Sequence, residues 1–253
     1  MGEPEKIPIS VCILVKNEEE NLLRSLPPLS IFNEILVYDS GSTDKTIEIC
    51  EKYGAKVISG EWLGFPRSRE KLFSSASQPW IFWLDADEVV TPELGCEIQS
   101  LFNSPPEVDG FEINRIVFFL DKWVKHGEWF PDWNLRIFKS SDWKIVDQDV
   151  HESVRISGKV LQLNSLLEHY SYKNWDDRKA RIDKYSELWA RMKSADGRKV
   201  IYGEEYIRAG WRFFRAFFLK YGFLDSITGF KIAISIASEV ILKYKKLRLF
   251  SSK

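Results

Sequence analysis

The sequence predicts an α/β fold: a mostly parallel sheet wound with helices, then a mixed half, then a helical C-terminal extension. Three observations carry this. Through the first hundred residues, short apolar runs alternate with helix-length segments, the pattern of successive βαβ units. Three of those runs end in polar, acid-bearing loops, which a parallel sheet gathers at the carboxyl ends of its strands. From Asp176 onward the chain is helical in character, with Lys and Arg set among apolar positions.

Ile9 to Val15 is nearly unbroken apolar and reads as the first strand, buried on both faces. It stops at Lys16-Asn17-Glu18-Glu19-Glu20, where a helix begins that runs to Pro27-Pro28. Ile35 to Tyr38 is the second strand and ends in Asp39-Ser40-Gly41-Ser42-Thr43-Asp44. A helix from Lys45 to Tyr53 follows, with Ser42 or Thr43 as its N-cap and Gly54 as its C′ residue. Lys56 to Ile58 is a short third strand, and a helix covers roughly Arg69 to Ala76. Trp80 to Leu84, five consecutive apolar residues, is the central strand; it ends abruptly in Asp85-Ala86-Asp87-Glu88, ahead of a helix start at Thr91-Pro92-Glu93. Ser104-Pro105-Pro106-Glu107 marks a break. Beyond it, Phe111 to Leu120 and Leu135 to Phe138 read as strands separated by the aromatic loop Trp123 to Trp133, and Leu161 to Tyr170 as a further strand. The expected organisation is a catalytic domain over 1–175, divided at 103/104, and a helical extension over 176–253.

A chain of 253 residues, 44% apolar and 29% charged, is globular and long enough for one domain or one and a half. A formal net charge of -1 gives no whole-chain case for nucleic-acid binding. Cys12, Cys50 and Cys96 lack CxxC spacing and read as buried thiols in a reducing compartment. The N-terminal residues lack the apolar core of a signal peptide, and no apolar run reaches the roughly 18 residues of a membrane span.

The chemistry is expected where the central strand ends. On extended backbone, side chains two apart point the same way, so Asp85 and Asp87 can address one ligand. Sparse carboxylates suit Mg²⁺ or Mn²⁺, which leave open positions for phosphate oxygens. The plain alternative for Asp-Ala-Asp-Glu is a solvated turn. Asp39 directly follows its strand and is expected to contact a ligand there. Arg67 and Arg69 oppose the dipole of the helix they open, which a nearby diphosphate would explain. The loop rings Trp129 and Trp133 serve equally as core filler or as stacking surfaces for sugars.

Val11 to Glu18, Val37 to Asp44 and Asp85-Ala86-Asp87, taken with Glu61-Trp62-Leu63-Gly64-Phe65, Arg69, Arg136-Ile137-Phe138-Lys139 and Val150-His151-Glu152, resemble glycosyltransferase family 2. Within it they are similar to the lipopolysaccharide-core and related inverting sugar transferases. The resemblance covers nearly the whole chain and departs from the usual pattern at Pro66 and Ser68. It implies a GT-A fold with a nucleotide-sugar half (1–103) and an acceptor half (104–175), a nucleotide-sugar donor such as a UDP-sugar, and a divalent metal, Mg or Mn. Val15, Lys16, Asn17, Glu18, Asp39, Asp44, Arg69 and Asp85 would bind the donor, and Asp87 the metal. Among Asp132, Asp147, Asp149 and Glu152 as general base, the His-Glu pair favours Glu152, with His151 beside it. Trp129, Asp132, Trp133 and Arg136 are acceptor-side candidates.

From Val200 to Lys253, ten Lys/Arg stand against four acids, interleaved with Trp211, Phe213, Phe214, Phe217, Phe218, Tyr221 and Phe223. That mixture suits peripheral attachment to an anionic membrane surface, at the cytoplasmic face if the acceptor is a glycolipid. The alternative is a helical hairpin packed on the catalytic domain or on a partner subunit in a homo-oligomer. Two other function classes are kept open: a nucleotidyltransferase, against which the absence of a Gly-rich loop after the first strand counts, and a non-catalytic, membrane-associated sugar-binding protein.

Overall fold

A computed structural model describes residues 6–104, 106–148, 151–172, 174–198 and 201–251, excepting the side chains of 147, 148, 151, 152 and 251. The strands are β1 (Ile7–Val15), β2 (Phe32–Asp39), β3 (Lys56–Ser59), β4 (Trp80–Asp85), β5 (Glu88–Val90), β6 (Gly110–Phe119), β7 (Lys122–Val124), β8 (Asp132–Lys139), β9 (Lys144–Gln148), β10 (His151–Arg155) and β11 (Val160–His169). The helices are α1 (Glu19–Ser25), α2 (Thr46–Lys52), α3 (Phe65–Phe73), α4 (Pro92–Asn103), α5 (Trp175–Ala195), α6 (Glu204–Phe214) and α7 (Ser226–Ser251). Backbone packing divides the chain into two compact units, Met1–Arg115 with Trp133–His169, and Ile116–Asp132 with Tyr170–Lys253.

In the first unit the sheet order is β3-β2-β1-β4-β8-β6-β11-β5, and β9 and β10 form a separate two-stranded sheet. β3, β2, β1 and β4 are mutually parallel, whereas β8 runs antiparallel to β4 and β5 antiparallel to β11. This is the expected GT-A-type class: a parallel, helix-wound half, a mixed half and a helical C-terminal part. The parallel strands are apolar on both faces because helices cover both. One core side holds Val11, Ile13, Val37, Phe82 and Leu84, and the other Cys12, Leu36, Tyr38, Ile81 and Phe138. Cys12 and Cys50 are buried as expected, but Cys96 is exposed on α4.

Several boundaries differ from the sequence reading, such as β2 starting at Phe32 and β8 at Asp132, and two of the differences have clear local reasons. Gly64 adopts a left-handed φ of +83°, and Pro66 falls within the first helical positions, so α3 starts at Phe65, four residues early. Neither Ser42 nor Thr43 caps α2, whose N-cap position is Lys45. The Asp44 carboxylate just before it accepts from N–H groups at the starts of both helices, Oδ1 from Thr46 at 3.0 Å and Oδ2 from Glu19 at 3.3 Å. The helix start expected at Thr91-Pro92-Glu93 is that of α4, with Thr91 as its N-cap, accepting from Leu94 N–H at 3.1 Å.

Below the sheet's functional edge, Glu34 on β2 is buried. Its carboxylate accepts from Ser10 Oγ, from Ser77 N–H at 2.9 Å and from Lys56 Nζ at 2.7 Å. Burial pushes its pKa up, but the bonds from Lys56, Ser10 and Ser77 outweigh it and bring the value down to about 2. A folded pKa below the unfolded value of about 4.3 gives stability that is present above that pH and is lost as pH falls toward 2. Glu34→Gln is expected to flatten the stability curve in this acid window and to cost about 1–3 kcal/mol at neutral pH. Thermal melts stepped down in pH check both; an unchanged acid slope would remove Glu34 from the account.

In the second unit, β7 pairs with the last residues of β6, and α5 and α6 each pack on α7. Val117, Phe119, Val124, Ala216, Ile232 and Ile236 form its core. The aromatic loop is pinned by Asp225, which accepts from the N–H groups of Lys125 and His126 at 3.0 and 2.8 Å and meets His126 Nδ1 at 2.9 Å. Among the described residues, no helix is long and apolar enough to cross a membrane.

Candidate functional site

Register places the strand ends side by side. Val15 of β1 lies opposite Asp39 of β2, and Leu14 lies opposite Asp85 of β4. The three acid-bearing loops therefore share one edge, as the alternation of strands and helices required.

The first two loops hold each other. Ser40 N–H donates to the Val15 carbonyl at 3.2 Å, Asn17 N–H donates to Ser42 Oγ at 2.9 Å, and Thr43 N–H donates to Asn17 Oδ1 at 2.8 Å. Asn17 takes a positive φ of 56°, a conformation asparagine tolerates better than most residues. Glu18 N–H donates to Thr46 Oγ1 at 2.8 Å, and Lys16 is exposed. Asp39, buried, accepts from the N–H groups of Gly41 and Ser42 at 3.0 and 3.1 Å and from the Ser42 hydroxyl. Its carboxylate shapes its own loop.

At the end of β4 three guanidiniums surround two carboxylates. Asp85 accepts from Arg69 Nη2 at 3.2 Å and from Arg136 Nη2 at 3.1 Å, with Arg115 Nη1 at 4.0 Å. Glu88, fully buried, accepts from Arg115 at 2.9 Å and from Arg136, and its other oxygen takes Asp85 N–H at 3.0 Å. The Arg69 and Arg136 guanidiniums lie 4.3 and 4.7 Å from the Trp83 ring centre, so one indole supports both. Burial works to raise the Asp85 carboxyl, but Arg136, Arg69, Arg115 and the His169 ring hold it well below the usual carboxylate range. Three cations against Asp85 and Glu88 leave the cluster one positive charge, which favours an anionic ligand. Asp85 accounts for Arg69 within the protein itself, whereas Arg67 is exposed.

Strand spacing does not relate Asp85 to Asp87, because the strand stops at Asp85 and Ala86-Asp87 form a turn. Asp87 faces His169 instead, Oδ2 to Nε2 being 3.5 Å. The pairing of β11 with β5 sets His169 opposite Glu88, next to Asp87 in sequence. The buried His169 Nδ1 has no hydrogen-bond partner among the described residues. A carboxylate and an imidazole, both partly exposed, could hold a Mn²⁺ or Mg²⁺ ion that takes its other ligands from substrate and water. Among the described residues no group of three or more His, Cys, Asp or Glu side chains could hold a metal ion.

His151 and Glu152 lie on β10, paired in register with Gln148 and Asp147 of β9; their side chains, and Asp149 entirely, fall outside the described residues. Trp133 is exposed, and Asp132 begins β8. Arg136, expected on the acceptor side, is brought to Asp85 and Glu88 and is almost fully buried. Trp129, partly buried, stacks on Tyr172 at 5.4 Å and meets Phe119 at 5.3 Å, packed against the second unit's core.

Sequence reasoning missed Glu88, Arg115, Trp83 and His169 as site residues. Arg115 left a signal, a cation midway through the apolar run Phe111 to Leu120. His169 left none beyond its place at a strand end, since the pairing that brings it to Asp87 spans some eighty residues.

A family model described as glycosyl transferase family 2 matches residues 10–158. Over 257 residues the chain is 29% identical to an uncharacterized glycosyltransferase of Rickettsia conorii, covering 97% of this chain and 91% of the relative. It is 25% identical over 254 residues to the lipopolysaccharide core biosynthesis glycosyltransferase LpsC of Rhizobium meliloti, covering 94% of each. Among solved structures, residues 1–349 of S. aureus TarS are similar at 13% identity and a TM-score of 0.49, covering 96% of this chain and 90% of that one. The family match takes in more than half of the 253 residues, and this chain belongs to glycosyltransferase family 2.

Proposed function

We propose that this glycosyltransferase is inverting and metal-dependent, and moves a sugar from a nucleotide-sugar donor, UDP-sugars foremost, to a lipopolysaccharide-core or other glycolipid or polysaccharide acceptor. The observation that carries the reading is the arginine-caged Asp85, followed by Asp87 beside His169, at the carboxyl end of the central parallel strand. The likeness to the lipopolysaccharide core biosynthesis glycosyltransferase of Rhizobium meliloti supports the acceptor class. The proposed site is the cytoplasmic membrane face, where such an acceptor is anchored; the cation excess of the C-terminal segment supports it.

In this reading Val15, Lys16, Asn17, Glu18, Asp39 and Asp44 form the nucleoside side of the donor pocket, with Asp85 toward the ribose. Arg69 and its neighbours supply positive potential for the diphosphate. Asp87, with His169, holds the metal, which when bound would draw negative charge from the departing diphosphate. Glu152 accepts the acceptor hydroxyl's proton while that oxygen bonds to the anomeric carbon, on the face opposite the breaking bond to diphosphate. His151 orients Glu152. Trp133, exposed, and Asp132 keep the acceptor-side role. Arg136 is proposed instead to hold Asp85, and Trp129 to support the fold.

Glu152→Gln preserves shape and is expected to leave donor affinity unchanged while cutting transfer by about 10²-fold or more, the scale of a lost base. His151→Ala should cost less. Transfer assays beside donor titration test this, scoring released nucleoside diphosphate; turnover near wild type in the Gln variant would move the base to Asp132, Asp147 or Asp149. Pyrophosphate as the released product would mark a nucleotidyltransferase instead.

A further inference from the structure

Helix α6 is built inside out. Its buried positions are Glu205 and Ala209, followed by Ala216 in the next turn, whereas Ile207 is 78% exposed, Trp211 56% and Phe214 44%. At 100° per residue, Ile207, Trp211 and Phe214 lie within a fan of about 60°, on the opposite side of the helix from Glu205 and Ala209. Phe218, Tyr221 and Leu224 carry the exposed surface onward through the π turn Arg215–Leu219 and the 3₁₀ turn Gly222–Asp225. A helix normally buries its large apolar side chains and exposes its charges. Here the buried Glu205 is paired with Arg248 of α7, so the inverted orientation is fixed by an ion pair.

The surface is held firmly. Trp211, Phe214 and Phe218 pack ring to ring, with centroids 6.1 and 5.3 Å apart. A Cβ on Gly229 would stand 1.8 Å from the Gly222 carbonyl oxygen, so the turn beneath the patch closes only because both positions lack side chains. A patch this apolar and this well ordered marks an interaction site.

Its charge selects the partner. From Tyr206 to Leu224 the chain carries Arg208, Arg212, Arg215 and Lys220 and no carboxylate. Glu204 and Glu128 pair with the three arginines and offset part of this charge, and Asp225, which bonds the N–H groups of Lys125 and His126, lies just beyond; the exposed Lys220 and Lys231 still leave a cationic excess. An isologous contact with a second copy would set this patch against itself, cations facing cations. An anionic bilayer meets both demands: acyl chains accept Ile207, Phe214 and Phe218, the headgroup layer accepts Trp211 and Tyr221 with their polar tips, and anionic headgroups accept the cations. Since no described helix is long and apolar enough to cross a membrane, attachment would be at the surface.

We infer that the face of Ile207, Trp211, Phe214, Phe218, Tyr221 and Leu224 is a docking surface for an anionic lipid bilayer. The inference deepens the glycolipid-acceptor reading by naming the part of the chain that seats the enzyme on the acceptor's membrane.

The test is flotation of the full chain with vesicles of phosphatidylcholine alone and of phosphatidylcholine mixed with phosphatidylglycerol, at low and high salt. Wild type is expected to bind the mixed vesicles and to be released in part by salt. The double variant Trp211→Glu/Phe218→Glu should lose at least about tenfold in binding, two large apolar anchors being removed. Lys220→Glu/Lys231→Glu, confined to exposed positions, should weaken binding only to the anionic vesicles and guards against misfolding of the first variant. Absence of wild-type binding, or unchanged binding in both variants, would overturn the inference. So would a wild-type dimer that dissociates on Trp211→Glu, which assigns the face to a second copy. Nucleoside diphosphate released from donor in lipid-free solution reads the transferase assignment separately, so the two can fail independently.

Discussion

Replacing Asp87 with alanine is expected to abolish metal-dependent donor binding while leaving the fold intact. Asp87 sits in a turn with its side chain partly exposed, and its recorded partner is His169 at 3.5 Å, so little packing is lost with the carboxylate. The metal, in contrast, would lose the carboxylate proposed to hold it. Loss of a residue that merely supports a ligand costs roughly 10–100-fold in metal affinity, and loss of the ligand itself should exceed that. Calorimetric titration of donor with and without Mn²⁺ reads the effect, and a thermal melt reads the fold. His169→Ala should move donor affinity in the same direction by less, since an imidazole brings no charge to offset the ion's. Donor binding by the alanine variant with undiminished Mn²⁺ dependence would place the metal elsewhere.

The second large effect is on stability. Arg136 is nearly inaccessible and bridges Asp85 to the fully buried Glu88. Arg136→Met keeps much of the side chain's length and contact with Trp83 but leaves Glu88 with Arg115 as its remaining cation. Removing one partner of a buried ion pair leaves an uncompensated charge, typically a loss of about 3–5 kcal/mol. Because Arg115 stays, the lower end of that range is expected. Adding Glu88→Gln should restore part of the loss, as two contacting sites are not additive. Urea denaturation of the four proteins of this cycle measures both terms; a loss under about 1 kcal/mol for the single variant would mean the arginine cage does not support the strand end.

The parallel half was legible in the sequence because strands buried on both faces must be apolar throughout, and Ile9 to Val15 and Trp80 to Leu84 could form little else. The edge where chemistry belongs followed from the same logic, since Asp39 and Asp85 end their strands. The partners of Asp85 were less legible. Arg69 was singled out for a ligand, yet it answers Asp85; Arg136 was placed on the acceptor side, yet β8 runs antiparallel to β4 and delivers it to the same carboxylate. Glu88 looked like one more acid in a turn until its burial and its two arginines were seen. His169 depended wholly on a long-range antiparallel pairing that no local pattern encodes. Asp44 shows a subtler limit: Ser42 and Thr43 are good caps by type, but the chain put the acid where two helix starts meet. In the helical part, the mixture of cations and aromatics was plain in the sequence. That α6 turns its aromatic side outward required knowing that Glu205 and Ala209 are buried and that Glu205 pairs with Arg248 of α7.

The central claim is that donor diphosphate and metal meet at the end of β4. Crystals of the protein soaked with Mn²⁺ and uridine diphosphate, measured at the manganese absorption edge, test it directly. The account predicts one anomalous peak in contact with Asp87 and His169, with diphosphate oxygens completing the shell and facing the Arg69–Arg136 cluster. A manganese peak away from Asp87, or a diphosphate bound at a different edge of the sheet, would contradict it.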